Sequence, residues 1–255
     1  MTKPVALVIF DCDIFDCDGV LVDTERIAMR VQMALGAEPG RPLTPEDVVG
    51  RSIGRSKESV CERIAQRLGE ETAALRWEQF LRRHRDAVGS GLEAVGGLPG
   101  ALEEITLPVC VASRGSHDKT RHTLGVTGLY ERFAGRILSA AEAARGKPAP
   151  GLFLHAARQM GIGPAACVAV EDSRPGVQAA RASRAARDAR AAGMRAFGYV
   201  GGVTPPERLA GPAAVVFDDM RELPGLITGQ HQRRQAAGGV QSAGRPDWAR
   251  TVARL

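Results

Sequence analysis

Apolar residues along this chain gather in short unbroken runs, separated by stretches of helical period. Residues 5–10 read VALVIF, the kind of run expected of a parallel strand buried on both faces. Residues 107–112 (LPVCVA) and 166–170 (ACVAV) repeat it, and 195–200 and 215–217 do so more weakly. Helical patterns lie between them, over 117–124, over 151–160 and from Pro175 onward, where proline suits a first helical turn. Strands alternating with helices predict an α/β fold, a doubly wound, Rossmann-like parallel sheet. Such sheets hold ligands beyond the carboxyl ends of their strands. Residues 24–97 differ, with several helical segments and no convincing strand. Thr44 is placed as an N-cap with Pro45 in the first turn, Ser56 as the cap of a helix through Leu68, and 71–88 as a long charged helix. The chain therefore divides into a core (1–23 and 98–228), an all-helical cap inserted between its first two strands (24–97), and a tail (229–255).

Composition narrows the picture. Of 255 residues, 44% are apolar and 25% charged, ordinary for a soluble globular protein. No apolar run approaches the roughly 20 residues that span a bilayer. The start meets acid too soon for a signal peptide, so a cytoplasmic protein is expected. The five cysteines, Cys12, Cys17, Cys61, Cys110 and Cys167, form no metal-ligand spacing and read as free thiols in a reducing compartment. The net charge of +5 is concentrated in the tail, where five arginines face Asp247 alone. That pattern fits a solvated, disordered end better than a nucleic-acid arm.

Two segments look like local duplications. Phe-Asp-Cys-Asp occurs at Phe10 to Asp13 and again at Phe15 to Asp18, and only the second copy runs into Gly19. Ala-Ala-Arg and Ala-Arg-Ala recur over 179–193, where a looped-out stretch is expected. Both should lower stability.

The polar residues just after the apolar runs carry the chemistry. They are Asp16-Cys17-Asp18-Gly19 with Asp23, then Ser113-Arg114-Gly115, then Lys147 ahead of the 151–160 helix, then Glu171-Asp172-Ser173. Each alone is weak: Asp23 could cap a helix, Glu171 and Asp172 could be a solvated strand end, and Lys147 a surface lysine. Their order is specific. Through DCDGVLVD, VASRGS, GKPAPGLFLHAA and VEDSRPGVQAA the chain resembles the haloacid dehalogenase superfamily over about residues 5–226. It is most similar to the branch with a helical cap after the first strand, which holds sugar-phosphate phosphatases and β-phosphoglucomutases.

The resemblance implies roles that the chemistry of a phosphate monoester makes intelligible. Asp16 attacks phosphorus and becomes an aspartyl-phosphate. Asp18 protonates the leaving oxygen and then activates water. Glu171 and Asp172 offer hard oxygen ligands to Mg²⁺, joined in the family by the Asp16 carboxylate and the Asp18 backbone carbonyl. Ser113 and nearby N–H groups bind the phosphoryl oxygens, Arg114 touches substrate or sits at the rim, and Lys147 offsets the attacking charge. His117 and His122 fit a solvated helix face, and Ser173 braces the metal loop.

The doubled segment leaves two pairs of aspartates. The first copy follows the 5–10 run directly, yet has Ile14 where the turn calls for glycine. The second has Gly19, but if the strand slides to bring Asp16 to the sheet's edge, Asp11 and Asp13 move into it. The expectation is that 5–10 stay in the sheet and the extra five residues bulge out, with Asp16 and Asp18 as the working pair and Asp11 and Asp13 as the alternative. In the cap, Arg55 and Lys57 are candidates for a distal substrate group, or merely a basic first turn. The reading is a Mg²⁺-dependent phosphatase, monomeric or weakly dimeric, acting on a small phosphorylated metabolite, with no nucleic-acid or membrane partner. A phosphomutase is the near alternative, which Val22 in place of a hydroxyl residue disfavours; a non-catalytic remnant is the distant one.

Overall fold

A computed structural model describes residues 10–37, 42–52, 57–183, 193–209 and 214–229. Six parallel strands form one sheet. They are β1 (Cys12–Phe15), β2 (Val109–Ser113), β3 (Ile137–Ser139), β4 (Cys167–Glu171), β5 (Arg195–Tyr199) and β6 (Ala214–Phe217), in the spatial order β3-β2-β1-β4-β5-β6. Chain order reverses between β1 and β4, so the crevice beyond their carboxyl ends is the switch point of the fold. β3 was not expected. It lies at the sheet edge and has only two apolar residues, too few to make a run.

Helices cover both faces. From the chain start they are α1 (Thr24–Ala37), α2 (Pro45–Arg51), α3 (Lys57–Leu68), α4 (Glu70–Gly91), α5 (Leu98–Glu104), α6 (His117–Val126), α7 (Tyr130–Phe133), α8 (Gly151–Gln159), α9 (Arg174–Ala182), α10 (Pro206–Leu209) and α11 (Leu223–Ile227). Side chains alternate along each strand, so each face has its own core. Phe15, Val109, Val111, Val168 and Phe197 pack with Leu98, Leu102, Leu124 and Leu223. Ile14, Cys110, Ala112, Ala169 and Ala196 pack instead with Leu152, Phe153, Ala156 and Leu209. Each fully buried side chain of this size contributes roughly 1.5–3 kcal/mol over its exposed state.

Helices α1 to α4 form the insert between β1 and β2, with α4 packed on α1 and α3. Thr44 caps α2 in a capping box: its hydroxyl accepts from the Asp47 N–H at 3.2 Å, and Asp47 accepts from the Thr44 N–H at 3.2 Å. The chain leaves the core and re-enters it side by side. The Asp23 N–H donates to the Glu93 carbonyl and the Val95 N–H to the Leu21 carbonyl, each at 3.0 Å. The expected cap at Ser56, the 5–9 part of the first apolar run and the tail from 230 lie outside the described residues. So does 184–192 of the second duplication; before it, α9 ends at Ala182.

The first duplication is resolved differently from the expected bulge. β1 is Cys12–Phe15 itself, with Asp13 paired in register with Val109 on one side and Val168 on the other. Cys12, Asp13 and Ile14 of the first copy, with Phe15 of the second, form the strand instead of bulging out of it. The turn beyond Asp16 supplies the reason. Gly19 has φ +81°, and a Cβ there would collide with the Asp172 carboxylate. With the first copy in use, Ile14 would occupy that position, strained in backbone and clashing in side chain. The turn thus selects the second copy and buries Asp13, whose two oxygens meet no hydrogen-bond partner among the described residues. Burial pushes its carboxyl up to about 7.

Candidate active site

The carboxyl ends of β1 and β4 deliver the acids to one place, and the segment ahead of α8 brings Lys147 to them. Asp16 follows β1, and its N–H donates to the Val170 carbonyl at 2.9 Å, holding the turn against β4. Glu171 ends β4 and Asp172 follows it; the carboxylates of Asp16, Glu171 and Asp172 lie within 4.8 Å of one another and are all buried. Such a cluster is self-repelling unless cations join it. Lys147 supplies one: its ammonium donates to Asp16 Oδ1 at 2.5 Å, to Glu171 Oε1 at 2.5 Å and to the Ala112 carbonyl at 2.9 Å. All three protons are used, and the ammonium lies 4.9 Å from the centre of the Phe153 ring. Burial alone would lower the Lys147 pKa, but Asp16 and Glu171 outweigh it and hold the lysine charged.

The acids respond in the opposite sense. Burial raises the Glu171 carboxyl above its usual range despite Lys147. Burial, together with the charges of Glu25, Asp16 and Glu171, raises Asp172 well above it. Three hard oxygen donors, two of them short of positive charge, suit a divalent cation of the Mg²⁺ type. The backbone is shaped around them. At Gly176, in the first turn of α9, a Cβ would run into the Glu171 carboxylate. Ser173 caps α9 by accepting from the Gly176 N–H at 3.2 Å and donates its hydroxyl proton to Glu171 Oε2 at 2.9 Å, the bracing role expected of it.

Asp18 sits at the rim of the cluster. Thr24 Oγ1 donates to its Oδ1 at 2.8 Å, and the Lys119 ammonium pairs with its Oδ2. Burial opposes its ionisation, yet Lys119 and Thr24 prevail and hold the carboxyl below its usual range. Ser113, the last residue of β2, is buried, and its Oγ accepts from the Gly115 N–H at 3.0 Å, which leaves the hydroxyl proton free to donate. Arg114 is exposed, close enough to Asp18 and Glu25 to favour their charged forms.

Of the residues singled out from sequence, Asp16, Lys147, Glu171 and Asp172 are brought into contact, with Asp18, Ser113 and Arg114 beside them. Asp11 is exposed and Asp13 is buried within the sheet, so the first copy contributes nothing here. Arg55 and the Lys57 side chain lie outside the described residues. His117 is not a free surface group: it pairs with Glu142, whose other oxygen meets His155 Nε2 at 3.1 Å. Sequence reading missed Thr24, Glu25 and Lys119. Burial and the neighbouring Asp18 push Glu25 up to about 7. In sequence it reads as an acid favourable to a helix start, and Lys119 as one charge in a polar helix. Only their nearness to Asp18 sets them apart.

Comparison with known proteins identifies the fold and the family. A family model described as haloacid dehalogenase-like hydrolase matches residues 7–184. The 6-phosphogluconate phosphatase of Escherichia coli K12 is 34% identical over 165 residues, covering 64% of this chain and 75% of its own. A conserved haloacid dehalogenase-like protein of unknown function from Agrobacterium tumefaciens superposes with a TM-score of 0.76 at 34% identity, over 87% of this chain and 99% of that one. A hydrolase of the same family from Deinococcus radiodurans, solved with phosphate and sodium bound, gives 0.73 at 27% identity, over 88% and 97%. The chain belongs to the haloacid dehalogenase-like hydrolase family. It is an enzyme of the branch whose sheet carries a helical insert after the first strand.

Proposed function

We propose that this hydrolase is a Mg²⁺-dependent phosphatase acting on a small phosphorylated metabolite, a sugar phosphate foremost, through a covalent aspartyl-phosphate. One observation carries the reading: Lys147 ties Asp16 to Glu171 inside a buried triad of carboxylates at the switch point of the sheet. The carboxylates of Asp16, Glu171 and Asp172, with the Asp18 backbone carbonyl, would hold Mg²⁺. When bound, the ion supplies the positive charge that lets a carboxylate approach a phosphate dianion.

Asp16 then attacks phosphorus as the ester P–O bond breaks, and Asp18 gives its proton to the leaving oxygen. In the second half, Asp18 takes a proton from water, the hydroxide attacks phosphorus, and Asp16 is released with inorganic phosphate. In this reading the Ser113 hydroxyl and the N–H groups after β2 donate to phosphoryl oxygens, and Lys147 offsets charge on Asp16 throughout. Residues 24–97 act as a cap that closes over the phosphate and excludes water, pivoting where the chain crosses between Asp23 and Glu93. The free cysteines fit a reducing compartment, the cytoplasm.

The test is phosphate release from p-nitrophenyl phosphate with Mg²⁺ present. The wild-type protein turns over, Asp16→Asn loses at least about 10³-fold in kcat/KM, and Asp11→Asn keeps most of its rate. Inactive wild-type protein ends the reading, and the reverse pattern of the two variants moves the nucleophile to the first copy.

A further inference from the structure

Asp18 has a problem as an acid that the rest of the site does not solve. Its two oxygens are engaged, Oδ1 by the Thr24 hydroxyl and Oδ2 by the Lys119 ammonium. The ammonium covers Oδ2, so a leaving group can reach that oxygen only when Lys119 gives way or is shared. Lys119 belongs to α6, and its side chain is 42% exposed, so the ammonium lies at the mouth of the site rather than in its floor. Across the mouth is the helical insert: His84 of α4 lies beside Lys119 and the backbone of Thr24. This gap between β-sheet edge and insert is where the leaving group must lie once phosphorus meets Asp16.

Charge in the gap is lopsided. Asp16, Asp18, Glu25, Glu171 and Asp172 lie close enough to oppose one another's ionisation, and Lys147 is already committed to two of them. Among the described residues, Lys119 and Arg114 are the cations near Glu25 and Asp18. A neutral leaving group gives Lys119 no reason to let go of Asp18. A leaving group carrying its own anion offers the ammonium a second partner and uncovers Oδ2 as it binds. We propose that Lys119 is a specificity-determining residue, a latch on Asp18 that is drawn off by an anionic group on the alcohol side of the phosphate monoester, so that phosphorylated acids are preferred over their uncharged counterparts. This rests on the phosphatase reading and adds the class of substrate to it.

The experiment compares matched pairs that differ only in carboxylate against hydroxymethyl: 3-phosphoglycerate with glycerol 3-phosphate, and 6-phosphogluconate with sorbitol 6-phosphate. For the wild-type protein with Mg²⁺, kcat/KM favours the acid in at least one pair by about 10- to 100-fold, the value of one charge-assisted hydrogen bond. In Lys119→Met that ratio collapses toward one, through a higher KM for the acid and a faster reaction of the uncharged ester, for which Asp18 is no longer covered; Lys119→Arg, which keeps the charge, retains a preference. A wild-type ratio near one in both pairs, or a ratio that Lys119→Met leaves intact, overturns the latch while phosphatase activity stands. Failure to hydrolyse any of the four esters or p-nitrophenyl phosphate overturns both readings together.

Discussion

Asp13 is the one charged-type side chain enclosed in the sheet without a partner among the described residues. Its carboxyl is raised to about 7, against about 3.9 for a free aspartate. Between those values the unfolded chain has released the proton and the folded protein has not. The unfolded state therefore binds fewer protons, and stability falls as pH rises from about 4 to about 7, then levels off. The whole effect is about 4 kcal/mol. Valine suits the position, because its neighbours in register are Val109 and Val168. Asp13→Val is expected to gain about 2–4 kcal/mol at pH 8 and to flatten the pH dependence below 7, read by urea denaturation at several pH values. A variant no more stable than wild type would show that the carboxyl is relieved in a way this arrangement lacks.

The turn between β1 and α1 decides more than its length suggests. It must return the chain from Asp16 to Thr24 while leaving the Asp172 carboxylate against its backbone, and Gly19 alone meets both demands. Gly19→Ala adds about 1–2 kcal/mol of backbone strain and forces Asp172 aside. We expect thermal stability to drop modestly and phosphatase activity to drop by more than about 100-fold, since a small misplacement of a reacting group costs that much. Retention of full activity would mean that Asp172 need not lie where it does. The strands and helices around this turn were largely legible from hydrophobic period: β2, β4, β5 and β6 fall where apolar runs stand, and α6, α8 and α9 where helical patterns do, while β1 falls at Cys12–Phe15, beyond the 5–10 run expected to form it. β3 escaped because an edge strand of three residues needs few apolar side chains.

In the assembled protein the acid cluster should make folding and cation binding one equilibrium. Asp16, Glu171 and Asp172 repel one another in the folded state and separate in the unfolded one. A cation that binds only the folded arrangement stabilises it by about 2.7 kcal/mol at a hundred times its Kd. Millimolar Mg²⁺ is therefore expected to raise the melting temperature, EDTA to reverse it, and Asp172→Asn to remove most of the shift. An unmoved melting temperature in the wild-type protein would argue that the triad holds no ion.

The chain's pattern of apolar runs was sufficient for most of the parallel sheet and for the helical insert, and the polar residues after those runs, through their family resemblance, pointed to Lys147, Glu171 and Asp172 and to one of two aspartate pairs, because burial on both faces and ligand placement at strand ends are properties of local sequence. Two matters waited for packing. Which copy of Phe-Asp-Cys-Asp enters the sheet turned on the contact between Gly19 and Asp172, residues more than 150 positions apart, and that contact outweighed the cost of burying Asp13. The pairing of Lys119 with Asp18 across 101 positions was equally invisible, since a lysine on a polar helix acquires meaning only from what the fold sets opposite it.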